Sequence, residues 1–136
     1  MKIPNILGLI IVLFLVSSCS PIIITTLETD LFKKTLDQTP NPQLVDVRTY
    51  NEFIEGYLPG AILMDIQKTT FDSLINQLDK TRPVFVYCHS GKRSLEAVSV
   101  LEKNKFKVIY NLDGGINAWK NTGNPVVIPT SVQNSG

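Results

Sequence analysis

The sequence is poor in cysteine, in histidine and in excess charge of either sign. Cys19 and Cys88 are the only cysteines among 136 residues, and His89 is the only histidine. A disulfide would need both cysteines, and Cys19 is claimed by other chemistry below, so Cys88 stands as the single free thiol. Basic side chains number 13 and acidic ones 12, with no block of like charge. One of the basic residues is Lys2; beyond residue 18 the two signs balance. A nucleic-acid partner normally leaves a basic footprint, and none is present. There is no internal repeat and no low-complexity segment, and the length admits one domain rather than two. No apolar run is long enough for a transmembrane helix: Ile6 to Val16 covers about half of the ~20 residues required.

That short run has a different meaning. Lys2 precedes it as a minimal positive region, and Ser17, Ser18 and Cys19 follow as small residues. A short apolar segment ending in small residues reads as a secretory signal. Val16-Ser17-Ser18-Cys19 also resembles the lipobox of bacterial lipoproteins, in which the cysteine is lipidated and becomes the new N-terminus. The expectation is a signal peptide over 1–18 and a lipid-anchored tether over 19–21, modified at Cys19. Acyl chains contribute ~0.8 kcal/mol per buried methylene, which would hold the protein at a membrane. The expected location is the bacterial cell envelope, with the domain outside the cytoplasm on the periplasmic or cell-surface side.

Residues 22–128 read as alternating strands and helices, with residues 129–136 a polar, disordered tail. Strands are expected at 22–26, 44–47, 61–64, 83–87 and 108–112. Helices are expected at 28–36, 70–78, 93–104 and 115–121, with a helical turn at 50–54. Phe71, Leu74, Ile75 and Leu78 recur at helical spacing, and Pro83-Val84-Phe85-Val86-Tyr87 is a continuous apolar run of the buried-strand type. Alternation at this spacing predicts an α/β domain: a mostly parallel sheet of about five strands with helices on both faces.

The chemistry is concentrated after the fourth expected strand, in Cys88-His89-Ser90-Gly91-Lys92-Arg93-Ser94. Ligands of open α/β sheets bind at the carboxyl ends of strands. A short loop leading into a helix turns backbone N–H groups inward, and the helix dipole adds partial positive charge. Lys92 and Arg93 add formal charge. Such surroundings stabilise a thiolate, so Cys88 is expected to be an activated nucleophile. A cysteine at a strand end is by itself a common small hydrophobe; the glycine, the cations and the following helix favour function.

These residues resemble the active-site loop of rhodanese-type sulfurtransferases, Cys-x-x-Gly-x-Arg-Ser. Asp46-Val47-Arg48, Glu52-Phe53 and Gly56-Tyr57-Leu58-Pro59-Gly60-Ala61 are similar to the family's Asp-Val-Arg, Glu-Phe and Gly-His-Ile-Pro-Gly-Ala segments. Gly114-Gly115 with Ala118-Trp119 is similar to its segment near the C-terminus, so the core motifs fall within 40–124. Tyr57 replaces a usual histidine and reads as packing. The resemblance implies a single rhodanese-like domain in which Cys88 takes sulfur from a small anionic donor such as thiosulfate and passes it to a thiophilic acceptor. A protein acceptor is a further possibility, and neither metal nor organic cofactor is needed. The 89–93 backbone would hold the persulfide, with Arg93 and Lys92 attracting the donor and Ser90, Gly91 and Ser94 completing the loop.

Three residues keep two readings. His89 is either a contact for donor or acceptor or simply loop surface. Arg48 lies with Asp46 at a strand end and can pair with Glu52 across a helical turn; it either belongs to a structural ion-pair network that shapes the pocket wall or serves as a secondary anion contact. Trp119 is expected to pack in the core, with a ligand platform as the other reading. Two rival functions differ in class. Phosphatases and arsenate reductases resemble Cys-x5-Arg, one residue longer than Cys88-x4-Arg93, and a shorter loop suits a sulfur atom. Rhodanese-like domains can also act as non-enzymatic docking units, which often lack the cysteine.

Overall fold

The computed structural model describes Met1 and residues 20–130. The expected signal segment, Cys19 and the last six residues lie outside the described residues. Five strands, β1 (Ile23–Leu27), β2 (Gln43–Asp46), β3 (Ile62–Leu63), β4 (Val84–Tyr87) and β5 (Val108–Leu112), form one sheet in the order β1-β5-β4-β2-β3. Every strand pair is parallel, with Val45 opposite Val86 and Val86 opposite Asn111 at the centre. Helices α1 (Thr29–Gln38), α2 (Tyr50–Ile54), α3 (Phe71–Ile75), α4 (Lys92–Lys103) and α5 (Gly115–Asn121) make the connections. The α/β class and the five-stranded sheet agree with the sequence-based expectation.

The central strand explains the layering. Successive side chains of a strand point to opposite faces, and β4 is buried on both. Val84, Val86 and Cys88 join one core with Ala97, Val98 and Leu101 of α4 and Phe71 and Ile75 of α3. Phe85 and Tyr87 join the other with Phe32 of α1 and Ile116 and Trp119 of α5. Phe32 meets Phe85 edge to face at 5.4 Å between ring centroids, a geometry aromatic pairs favour. Trp119 is buried, as expected, and its indole N–H donates to the Pro125 carbonyl at 2.8 Å.

Two elements are shorter than the spacing predicts. β3 is confined to Ile62–Leu63 because it is an edge strand that pairs with β2 at two positions only. The helix expected over 70–78 stops at Ile75, and Leu78 closes a tight turn onto the Ile75 carbonyl. The apolar positions still face the core, so the periodicity identified the buried face correctly but not the helix length. Tyr57 packs, as expected: its ring stacks on Phe53 at 4.1 Å, and its backbone bridges to Val127.

A buried polar cluster ties β2 to β4. The Asp46 carboxylate is fully buried and accepts from Arg48 Nη2 at 2.6 Å and from the Tyr87 hydroxyl at 2.6 Å. Tyr87 Oη in turn accepts from Leu58 N at 3.0 Å, and Arg48 Nη2 also donates to the Gly56 carbonyl at 2.8 Å. Burial, and then the Asp46 charge, push the Tyr87 hydroxyl far above its ordinary pKa, so it stays a donor. Burial pulls the Arg48 pKa down, but the hydrogen bond and charge of Asp46 outweigh it and the net shift is upward. Replacing Tyr87 by Phe leaves Leu58 N unpaired and removes one donor from a buried carboxylate. The expected cost is about 1–3 kcal/mol of unfolding free energy, read as a lower denaturant midpoint at unchanged slope.

Candidate active site

Beyond Tyr87 the chain leaves the sheet at Cys88, turns through His89, Ser90 and Gly91, and enters α4 at Lys92. Gly91 makes this turn possible: its φ of 104° lies in the left-handed region that favours glycine. In that conformation Gly91 N donates to Cys88 Sγ at 3.0 Å. The Gly91 carbonyl accepts from Ser94 Oγ at 3.1 Å and from Leu95 N at 3.3 Å. Cys88 is only 1% exposed, while His89, Ser90 and Lys92 are open to solvent and Ser94 is fully buried. The expected residues 88–94 are therefore one local unit, with the sulfur on its inner side.

The unit is also held from behind, by residues at the start of α5. Ile116 N donates to the Cys88 carbonyl at 2.9 Å, and Asn117 N donates to the His89 carbonyl at 3.2 Å. Gly115 is what allows this approach, since a Cβ there would lie 2.5 Å from the Cys88 carbonyl oxygen and 2.6 Å from that of His89. The pair Gly114-Gly115 stood out in the sequence as part of a motif, but the carbonyls of Cys88 and His89 that it approaches did not.

Arg48 follows the structural ion-pair reading but with Asp46 as its partner, and Arg93 is engaged by Glu52. Arg48 does not pair with Glu52. Thr49 is the N-cap of α2, so Arg48 precedes the helix and the spacing argument across a turn does not apply to it. It is 3% exposed and engaged by Asp46 and the Gly56 carbonyl, a structural role rather than an open anion contact. Glu52 instead meets Arg93 in a two-pronged pair, at 2.6 Å from Nη2 and 2.8 Å from Nη1. Thr49 N and Oγ1 also donate to Glu52 Oε2, at 3.1 and 2.8 Å. The Arg93 hydrogen bonds are the first cause that lowers the Glu52 pKa to about 2, and Glu52 in return raises that of Arg93. Thr49-x-x-Glu52 was readable as a capping box; the Arg93 partner, 41 positions on, had no local signal.

Chemically, the arrangement presents one sulfur at the carboxyl end of a buried strand, an N–H aimed at that sulfur, and an exposed cation beside it. The geometry matches what the comparisons with known proteins give. A Rhodanese-like domain model matches residues 28–122, and the chain belongs to that family. A protein of Allochromatium vinosum named "Sulfurtransferase" is 31% identical over 106 residues, 78% of this chain and 97% of that one. The "Thiosulfate sulfurtransferase GlpE" of Shewanella oneidensis is 33% identical over 84 residues, 62% of this chain and 81% of its own length. The crystal structure of a rhodanese-like domain protein from Staphylococcus aureus aligns with a TM-score of 0.67 at 32% identity, covering 78% of this chain and 99% of that one. Family and relatives together support a role in sulfur transfer.

The support from α5 can be measured. Gly115→Ala is expected to destabilise the fold clearly more than Gly123→Ala. A Cβ at Gly123 meets nothing within 4 Å and carries only the left-handed penalty of about 1–2 kcal/mol. Parallel denaturant melts give the difference, and only Gly115→Ala should change the rate at which Cys88 reacts with a thiol reagent.

Proposed function

We propose that this protein is a sulfurtransferase that moves sulfane sulfur through a persulfide on Cys88. The observation that carries the reading is the Gly91 N–H directed at Cys88 Sγ at 3.0 Å, within a loop that belongs to the rhodanese-like family. The Cys88 thiolate attacks the outer sulfur of a donor such as thiosulfate. The donor's S–S bond breaks, sulfite leaves with the electron pair, and Cys88 becomes a persulfide anion. An acceptor thiolate then attacks the terminal sulfur, and the Cys88 thiolate is the leaving group. Two group transfers balance with no external oxidant or reductant.

Each loop residue has a part in this scheme. Gly91 N and the neighbouring N–H groups of residues 89–93 stabilise charge on sulfur, as fixed dipoles do where charge develops. Ser94 holds the Gly91 carbonyl and with it the turn. Lys92 is exposed and is the first cation an anionic donor meets, because Glu52 already neutralises Arg93. His89 contributes at most a surface contact, since an ionised thiolate requires no base. Thiosulfate as the donor, and a small thiol or a protein as the acceptor, are parts of this proposal.

We further place the domain at a membrane surface outside the cytoplasm, held by lipid on Cys19. The support is the Lys2, Ile6–Val16, Ser17-Ser18-Cys19 pattern. Cys19→Ser should release the protein from the membrane fraction of the producing bacterium; retention would overturn the lipid anchor.

Mass spectrometry after thiosulfate treatment tests the central step. Cys88 should be heavier by one sulfur atom, and Cys88→Ala should show no gain. If no donor produces the gain, a non-enzymatic docking domain becomes the better reading. Hydrolysis of an aryl phosphate without sulfur transfer would instead place the protein among the oxyanion enzymes.

A further inference from the structure

An open cavity of about 370 Å³ lies at the carboxyl ends of β2 and β3, lined by Thr49, Tyr50, Asn51, Asp65, Gln67 and Lys68. Asp65 is its unusual feature. The residue is only 8% exposed, and what it exposes faces this cavity. Its Oδ1 accepts from Gln67 N at 2.9 Å, but among the described residues nothing donates to Oδ2. Lys68, on the same wall, forms no ion pair with it. Oδ2 is therefore an acceptor open to the cavity, and a cationic donor that enters can form a charge-assisted hydrogen bond with it. Tyr50, on the cavity wall and 63% exposed, offers an aromatic face, which also favours a cation.

The cavity adjoins the sulfur loop. Thr49 of its wall donates to Glu52 Oε2, and Glu52 grips Arg93 of the loop. Arg93 is close enough to both Cys88 and Asp65 for their charges to raise its pKa. An anionic donor gains nothing from Asp65, so the cavity fits the other substrate. One ion pair separates it from the loop, so the cationic group must lie several bonds from the reacting sulfur.

We propose that this cavity binds the ammonium group of the sulfur acceptor, a peptide-like thiol whose amino end sits against Asp65 while its sulfur reaches Cys88. The proposal rests on the sulfurtransferase reading for its chemistry but not for its binding site. Asp65 is a specificity residue for the second half-reaction, and the first half-reaction does not use it.

The test compares Gly-Gly-Cys-amide with its N-acetylated form as acceptors for full-length protein preloaded with thiosulfate. The two peptides carry the same thiol and differ in the ammonium alone. At pH about 6.5 the amino end is protonated. The wild type should show a KM roughly tenfold lower for the free-amine peptide, the worth of one charge-assisted hydrogen bond at a partly open site. Asp65→Asn retains the Oδ1 acceptor for Gln67 N and should erase that preference, with the constants for the acetylated peptide unchanged. Equal KM values in the wild type, or an Asp65→Asn effect equal for both peptides, would overturn the proposal. If preloading yields no mass gain on Cys88, the sulfurtransferase reading fails on its own, and the cavity is judged by Gly-Gly-Ser-amide. Saturable NMR shifts at residues 65–68 with the free amine, absent in Asp65→Asn, would then support the ammonium site, and their absence would sink it.

Discussion

The Asp46 carboxylate has no access to water, and the surrounding structure is arranged to satisfy it. Arg48 supplies the compensating charge, the Tyr87 hydroxyl supplies a neutral donor, and each of these partners does a second job. Arg48 also holds the Gly56 carbonyl, and Tyr87 also receives Leu58 N. A half-satisfied buried charge is far more costly than a complete one, so all these contacts must form together. Their joint effect is to fix the end of β4 against β2 and against the loop at 56–58. Cys88 is the next residue, and its position is determined by a cluster on the opposite face of the sheet.

The sulfur loop is held by backbone groups from two directions. Within the loop, Gly91 N reaches the sulfur; behind it, Ile116 N and Asn117 N take the Cys88 and His89 carbonyls. The formal charges are placed differently from what their proximity in sequence suggests. Glu52 engages Arg93 and so links α4 to α2, turning the Arg side chain into a strut. Lys92 is left as the exposed cation beside the loop. Buried or half-buried charges in this domain build the frame, and the contact made to Cys88 Sγ is a backbone N–H.

How much of this could be read from the sequence depends on whether the cause was local. β4 was legible because five consecutive apolar residues have few alternatives, and the Cys88–Ser94 unit was legible because its parts are contiguous. The buried faces of α3 and α4 followed from helical spacing. The length of α3 did not, since the chain after Ile75 satisfies its carbonyls by a tighter turn. The expected pairing of Arg48 with Glu52 fails for one physical reason. Thr49 caps α2, so the helix begins one residue too late to bring those two side chains together. Asp46, two residues back along the extended chain, was the nearer acceptor for Arg48. Gly115 showed its conformational need in the sequence but not the two carbonyls that require it.

The engagement of Arg93 by Glu52 also bears on the choice between sulfur and phosphorus chemistry. A phosphoryl group spreads negative charge over several oxygens as it transfers, and enzymes meet it with cations as well as N–H groups. A persulfide carries a single charge on one terminal atom, within reach of the dipoles of a short loop. In this protein the loop arginine is bound by a carboxylate that holds its charge down to a pH of about 2. Releasing Arg93 to an oxyanion would strand Glu52 between α2 and α4 and loosen the frame that positions the loop. The proposed single-atom transfer to and from Cys88 needs little positive charge at the nucleophile and much precision in the backbone around it, and the arrangement of the loop accords with that proposal.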